Sequence, residues 1–600
     1  MTGLQKKRWG ILALALCLCG WLVGALVAAP SASWLEDESA EQKDQRMAWW
    51  RDAKFGMFIH WGLYAVPAGK YAGKACRLGN GGEWIQYLLN IPADEYAKIA
   101  ETFQPDGYDP QAWVSLARDA GMKYMVFTSK HHDGFAMYES KVSAFNIAQA
   151  TPYRHDTLKM LAEACAAQKM PLGLYYSQDQ DWHHPGGGAY SNKKNTPAHN
   201  TYVSHLVVPQ LEEILSRYGK IAAIWFDTPI SMSRQEAMEI LPVIRRLQPS
   251  TVMNQRLGGG VPGDTMNAEQ YVPARGYPGK DWETCMTMND TWGYRSDDTN
   301  WKSREDLLFK LVEVVGKGGN FLLNVGPDAQ GRIPPESVDR LQFMGSWMKR
   351  YGDAVYGTRQ GPFLSLPWGY ASRRGQELFL YVTRWPASGV LPLPLSNTSV
   401  QANFFGGSAV PATRGRDGWD LQVGRRPVDA NVSVIRISLT EEPRAFSIPV
   451  REAEGVLHLT AQEAQMPAGL RLEEGLAEGA MGTRTKEFAL KDWKNPKDAV
   501  VWQLDLERPG RFLVKAVYSF RRENNGLRFT LAGGKSGLNW TPESAAATET
   551  FTNADLGELD LNEAGPQRVS LSWSSENNQP LKDGAIKLRQ ILLQRLEPRK

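Results

Sequence analysis

Five short apolar runs, each closing on a polar or charged residue, constrain this chain more than any other feature. They are Phe55-Gly-Met-Phe-Ile-His60, Tyr124-Met-Val-Phe-Thr-Ser-Lys-His131-His132-Asp133, Pro171-Leu-Gly-Leu-Tyr-Tyr176, Ile221-Ala-Ala-Ile-Trp-Phe-Asp227 and Thr251-Val-Met-Asn-Gln-Arg256. They recur every few tens of residues, with helix-like segments between most of them. Strands covered on both faces read as near-continuous apolar runs, and in a closed parallel barrel their C-terminal ends converge on one pocket. The pattern predicts an α/β fold, a (β/α)8-like barrel, with functional side chains at the run ends.

Helical periods support the same architecture. Ala112 to Gly121 reads as a helix with a glycine stop, feeding the run at Tyr124. Thr157 to Gln168, His205 to Tyr218, Gln235 to Leu247 and Ser303 to Val315 play the same part before later runs, and Pro335 to Arg350 closes the series. Right-handed crossovers place such strands in one parallel sheet. The segment between Arg256 and Trp301 is glycine-rich and is expected to be loop-like, leaving the barrel irregular there. After Tyr356 the helical periods stop. Alternating runs such as Glu377-Leu-Phe-Leu-Tyr-Val382 predict a β-sandwich over 357–450. A second sandwich is expected over 451–600, carried by Val500 to Leu506, Arg511 to Tyr518, Arg568 to Trp573 and Ile586 to Leu593. The predicted organisation is therefore 1–33 targeting segment, 34–356 barrel, and two sandwiches.

At 600 residues the chain exceeds one core, as this division requires. A net charge of +3, with acids and bases interspersed, shows no nucleic-acid footprint. Lys6-Lys7-Arg8 precedes an apolar stretch from Ile11 to Ala29 and then small residues to Ser33, the order of an export signal. An exported enzyme, periplasmic or secreted, is expected, with membrane contact only if that segment stays uncleaved. Beyond it the cysteines are Cys76, Cys165 and Cys285, which form neither a disulfide framework nor a Cys-x-x-Cys metal pattern.

Asp227 ends a strand, where a carboxylate is held rigidly; the competing reading is an N-cap for the next helix. His60, His131 and His132 end the first two runs. They suit hydrogen bonds to hydroxyl groups or, for the doubled His131-His132, a structural pair; His60, His131 and Asp227 could alternatively supply the ligands of a metal site. Arg256 offers a fork of donors, Tyr176 a hydroxyl, and Glu83-Trp84 a loop that reaches a pocket. Trp292 offers a flat face to a sugar ring. An acid at a strand end, a second carboxyl group nearby, several histidines and 21 tryptophans together suggest sugar chemistry.

Six ordered strings carry a more specific likeness. They are Trp50-Arg-Asp-Ala-Lys-Phe-Gly-Met-Phe-Ile-His-Trp-Gly62, Lys130-His-His-Asp-Gly-Phe135, Gly173-Leu-Tyr-Tyr-Ser177, Ile224-Trp-Phe-Asp227, Trp282 to Tyr294, and Gly318 to Pro327. Over roughly residues 40 to 360 the chain resembles glycoside hydrolase family 29, the α-L-fucosidases. The resemblance implies a retaining exo-α-L-fucosidase with Asp227 as nucleophile and a fucosylated oligosaccharide or glycoconjugate as substrate, and it implies no metal and no cofactor. It implies fucose contacts from His60, Glu83, Trp84, His131, His132, Tyr176, Trp225, Arg256 and Trp292. The acid/base is expected in the loop after the arginine, at Glu269, with Glu283 and then Asp264 behind it; Glu283 has the alternative task of supporting Trp292 and the pocket floor. Trp493, Trp502 and Trp540 are the expected stacking platform if the last sandwich binds carbohydrate. Two alternatives stand beside this reading: a catalytically weak glycan-binding protein on the same scaffold, and a metal-dependent hydrolase using the barrel histidines. Oligomeric state is left open.

Overall fold

A computed structural model describes residues 38–597 apart from 77–80, 188–196, 274, 278, 364–365, 468–469, 479–483, 494, 497, 521–526, 544–550 and 576–585. The predicted targeting segment, 1–33, lies outside the described residues. Every element discussed below lies in the unit that begins at Trp50.

Eight parallel strands form the barrel: β1 (Phe55–Ile59), β2 (Met125–Lys130), β3 (Leu172–Tyr176), β4 (Ala223–Phe226), β5 (Val252–Met253), β6 (Thr265–Glu269), β7 (Asp281–Thr287) and β8 (Asn320–Val325). Their order is β5-β4-β3-β2-β1-β8-β7-β6, and a parallel bridge between Asn254 and Thr265 links the two ends. Every residue of β1, β2, β3, β4 and β8 is buried, which is why these strands read as unbroken apolar runs.

Four of the intervening helices start where side chains satisfy their first backbone donors. Asp109 accepts from Ala112 N ahead of Pro110–Asp119, and Asp156 accepts from Lys159 N ahead of Thr157–Ala167. Ser303 does the same for Arg304–Gly316. Ser233 and Glu236 form a reciprocal capping box on Arg234–Leu247. That last cap settles one alternative: the helix after β4 is capped by Ser233, so Asp227 is not its N-cap.

The expectation of an irregular, loop-like stretch between Arg256 and Trp301 is corrected by β6 and β7. Both strands carry polar side chains, Thr-Met-Asn-Ala-Glu and Asp-Trp-Glu-Thr-Cys-Met-Thr, so they lack an apolar signature. One inward pair links them. Asn267 Nδ2 donates to Glu283 Oε1 at 2.7 Å, which makes burial of both tolerable. Gly56 of β1 packs flat on a neighbour: a Cβ there would lie 2.5 Å from the Tyr124 ring.

Beyond the barrel the sheets are antiparallel. A six-stranded sheet centred on Glu377–Val382 and Ser433–Ser438 faces a three-stranded sheet of Val390–Leu393, Gly418–Gln422 and Ala412–Gly415. Leu378, Leu380, Leu391, Leu421, Ile435 and Ile437 fill the space between them. A further six-stranded sheet, including Gly510–Phe520 and Ile586–Arg595, faces a four-stranded one, including Val500–Leu506 and Gly565–Ser574. Trp493, Trp502 and Trp540 lie in this last core at 2%, 0% and 8% exposure, so they are not an open stacking platform. Trp502 Nε1 donates to Thr460 O at 2.8 Å, and Trp540 stacks on Phe529. Alternation puts one face of each strand inward, and large aromatic groups on that face are core material.

Candidate active site

Asp227 follows directly on β4 and is the hub of the strand ends. Its Oδ1 accepts from Arg256 Nη1 at 2.7 Å, and its Oδ2 accepts from the Tyr175 hydroxyl at 2.9 Å. His132 Nε2 lies 3.4 Å from the same Oδ2. Burial works against ionisation of Asp227, but the His132 hydrogen bond and the Arg256 charge overcome it and hold the carboxyl well below the usual carboxylate range. Thr228, the next residue, sits at φ 44°, a strained conformation for a β-branched side chain. Gln178 spans this turn. Its Oε1 accepts from Asp227 N at 3.1 Å, while its Nε2 donates to Arg256 O at 2.7 Å and to Leu257 O at 3.1 Å.

Arg256 uses both arms of its guanidinium. Nη1 holds Asp227, and Nη2 donates to Glu269 Oε2 at 2.7 Å. Its Cζ lies 4.8 Å from the centre of the Trp225 ring, an arrangement that fixes the fork's plane. Trp225 is fixed in turn by Glu283, whose Oε1 accepts from the indole Nε1 at 2.8 Å. Glu283 also accepts from Asn267 and, at 3.1 Å, from the Tyr124 hydroxyl. It is 3% exposed, and burial raises its pKa. Its three donors and its depth place it under Trp225, and Trp225 rather than Trp292 is what it supports. Asp264 is committed elsewhere, accepting from Met253 N at 2.9 Å beside the β5–β6 bridge. Of the three acids considered after Arg256, Glu269 alone faces the Asp227–Arg256 pair, and its side chain is 40% exposed.

The histidines gather on the other side of Asp227. His60 Nδ1 lies 2.7 Å from Asn324 Oδ1, and Asn324 Nδ2 donates to Trp292 O, so the imidazole donates through Nδ1 and keeps Nε2 as an acceptor. Burial lowers the His60 pKa to about 4. His131 stacks on the Tyr175 ring at 5.2 Å and 4°, and burial holds its pKa well below the usual value. Its Nδ1 is buried with no partner among the described residues. His132 Nδ1 lies 2.7 Å from Ser177 Oγ, which itself donates to Gln180 O.

Trp292 lies 5.0 Å from His60, and Trp84 lies 5.2 Å from His132, ring centre to ring centre. Glu83 is buried beside them. Its Oε2 accepts from Gly293 N at 2.7 Å, and burial raises its pKa to about 7.

Tyr176 is the correction in this set. Its hydroxyl donates to Gln210 Oε1 at 2.7 Å and its ring lies under Lys130 Nζ, on the helix-facing side of β3. Successive strand residues point to opposite faces, so Tyr175 is the one that reaches Asp227. The register could have found it: Tyr175 pairs with Trp225 across β3 and β4, and Tyr176 with Phe226. Gln178, also missed, acts through backbone partners, and Asn324 through the His60 imidazole and the Trp292 carbonyl; no sequence spacing shows either. The metal reading from sequence uses His60, His131 and Asp227, whereas among the described residues the ligand-type atoms that lie within 4.8 Å of one another belong to His131, His132 and Asp227. Arg256 already supplies a positive charge at Asp227.

These buried groups set a pH dependence of stability. His60 has its folded pKa depressed from 6.5 to about 4, so its contribution is present above pH 6.5 and is lost as pH falls through about 4. Glu83 is raised from 4.5 to about 7, so its contribution is present below pH 4.5 and is lost as pH rises through about 7. The melting temperature of Glu83→Gln relative to the parent should therefore climb between those two values; a flat difference would assign Glu83 an ordinary pKa.

A barrel of this kind with carboxylates gathered at its strand ends is the frame of a glycoside hydrolase, and comparisons with known proteins give the family. A family model described as alpha-L-fucosidase matches residues 26–353, and the chain belongs to that family. Tissue alpha-L-fucosidase of Rattus norvegicus is 30% identical over 383 residues, covering 58% of this chain and 78% of the relative. Tissue alpha-L-fucosidase of Homo sapiens is 29% identical over 399 residues, covering 60% and 80%. Among solved structures, alpha-L-fucosidase from Vibrio sp. strain EJY3 aligns with a TM-score of 0.72 at 27% identity, covering 92% of this chain and 98% of that one. A Bacteroides thetaiotaomicron enzyme of the same family, trapped as a covalent intermediate with 2-fluoro-fucosyl fluoride, aligns at 0.61 and 28% identity, covering 66% and 97%.

Proposed function

We propose that this α-L-fucosidase removes terminal fucose with retention of configuration, through a fucosyl ester on Asp227. The observation that carries the reading is the Arg256 fork, which holds Asp227 and Glu269 on adjacent nitrogens. Retaining glycosidases need two carboxyl groups about 5–5.5 Å apart, one to attack and one to move a proton.

In the first step an Asp227 oxygen bonds to the anomeric carbon as the bond to the leaving oxygen breaks, and Glu269 gives that oxygen its proton. Asp227 suits attack because the groups that hold it keep it ionised. Arg256 Nη2 donates to Glu269 Oε2, which holds this carboxyl beside Asp227 and toward the leaving oxygen. In the second step Glu269 takes a proton from water, the water oxygen bonds to the same carbon, and Asp227 leaves. Two inversions restore the original configuration.

The remaining groups bind and orient the sugar. His60 accepts from a hydroxyl through Nε2, while His131, His132, Glu83, Trp84 and Trp292 line the ring's edge and faces. Tyr175 and Trp225 hold Asp227 and Arg256 in place. A site built on hydroxyl contacts penalises sugars that lack one of them. The Bacteroides neighbour trapped as a covalent intermediate supports the ester. We further propose export through residues 1–33 and a domain division at 34–356, 357–450 and 451–600.

The test is hydrolysis of an aryl α-L-fucoside followed by proton NMR, with and without EDTA. The α-anomer of fucose should appear first, and the rate should be unchanged by chelator. First appearance of the β-anomer would overturn retention. Loss of activity in EDTA, restored by zinc, would instead support the histidine metal site, and tight fucose binding without turnover the glycan-binding protein.

A further inference from the structure

The turn that follows Asp227 is held in a conformation its own residues do not favour. Thr228 sits at φ 44°, in the left-handed region, where a β-branched side chain is strained. Such a conformation persists only where the surroundings over-determine it. Two side chains fix the chain ahead of Thr228. Asn254 Oδ1 accepts from Phe226 N at 3.0 Å, and its Nδ2 donates to Phe226 O at 2.9 Å. Gln178 Oε1 accepts from Asp227 N.

A third side chain fixes the chain after it. Asp179 lies on the loop that follows β3 and is 3% exposed. Its Oδ1 accepts from Ser231 Oγ at 2.6 Å, and its Oδ2 accepts from Ser231 N at 2.6 Å and from Met232 N at 3.2 Å. Between the clamps lie Thr228, Pro229 and Ile230. Ile230 is 52% exposed, so burial of its side chain does not hold the turn. Gly258, two residues past Arg256, packs against the same turn: a Cβ there would lie 2.6 Å from Pro229 Cβ and 2.8 Å from Met232 Cβ. The peptide joining Asp227 to Thr228 is planar, so rotation at Thr228 swings it as a unit. The Asp227 carboxyl, which meets Tyr175, His132 and Arg256, moves with that peptide.

We propose that Asp179 is a positioning residue for the nucleophile: by tying Ser231 and Met232 it keeps Thr228 left-handed, and so keeps the Asp227 carboxyl aimed at the anomeric carbon. The inference rests on Asp227 as nucleophile. Asp179 acts through the backbone of the turn, and binding of the sugar is left to other groups.

Asp179→Ala, Asp179→Asn, Thr228→Gly and the double variant Asp179→Ala/Thr228→Gly would be compared in the full chain by kcat and KM on an aryl α-L-fucoside. Each would also be trapped with 2-fluoro-fucosyl fluoride, which counts competent sites and whose labelled peptide identifies the attacking residue. Asp179→Ala should lose about 10- to 100-fold in kcat with KM within about twofold of the parent, because the reacting atom is displaced while the binding groups stay. Asp179→Asn should stay within about threefold, since its oxygen can accept from both backbone donors and its NH2 can donate to Ser231 Oγ. Glycine adopts positive φ without a steric cost, so adding Thr228→Gly should return about fivefold or more of the kcat that Asp179→Ala loses. A role in folding alone predicts no such return, because glycine then adds only flexibility. If Asp179→Ala does not fold, Ser231→Ala serves: it removes one donor of the three and should cost about threefold in kcat, again returned by Thr228→Gly. An unchanged kcat in Asp179→Ala, a loss confined to KM, a loss accounted for by fewer labelled sites, Asp179→Asn as slow as Asp179→Ala, or no return with glycine would each overturn the proposal. A parent enzyme labelled at a carboxyl other than Asp227 would instead remove the nucleophile reading on which it stands.

Discussion

Asp227→Ala should lose turnover of an aryl α-L-fucoside by on the order of 10⁴-fold or more while still binding fucose. The loss is large because the residue does two things at once. In the proposed mechanism it supplies the attacking oxygen, and it is also the anion that offsets Arg256. Binding should survive because the proposed sugar contacts, His60, His131, Glu83, Trp84 and Trp292, come from the ends of β1 and β2 and from loops rather than from Asp227. The fold survives because Arg256 retains Glu269 and the Trp225 face. Steady-state kinetics with fucose titration calorimetry checks both halves. Added azide should restore part of the turnover and yield the β-fucosyl azide, since it would enter from the face Asp227 has vacated. Activity within tenfold of the parent would remove Asp227 from the nucleophile's role.

Glu269→Ala should behave differently in a diagnostic way. With an activated aryl leaving group the first step needs no proton, so the fucosyl ester accumulates and its hydrolysis stalls. Azide needs no base, so it should rescue turnover on the order of 10²-fold, matching what a positioned acid/base contributes. The product should be the α-fucosyl azide, because attack on the ester comes from the leaving-group side. Glu283→Ala provides the contrast. It leaves the Trp225 and Asn267 donors without their acceptor, at about 1–3 kcal/mol for each buried group. Its activity should fall through a displaced Trp225 and Arg256, with no response to azide. Rescue at Glu283 and none at Glu269 would exchange the two assignments.

The two carboxylates differ in how far they could be read from the chain. Asp227 closes an apolar run, and that position is visible in the residue order. Glu269 and Glu283 sit on polar strands with no such signature, and only the hydrogen bonds around them separate a carboxyl facing the pocket from one buried beneath it. The tyrosines repeat the lesson on a smaller scale: residue order places Tyr175 and Tyr176 equally, and the strand's alternation sends only Tyr175 to Asp227.

Sequence by itself determined the barrel-then-sandwich order, because burial on both faces, helical periods and strict alternation are each written in local composition. It also determined the strand-end residues that meet, since a parallel barrel brings all C-terminal strand ends to one face. Tertiary structure alone decided which of two neighbouring side chains faces that pocket, that three tryptophans of the last sandwich are core, and that Glu269 rather than Glu283 faces Arg256. Those outcomes depend on pairing register and on partners far apart in the chain, and neither leaves a local trace.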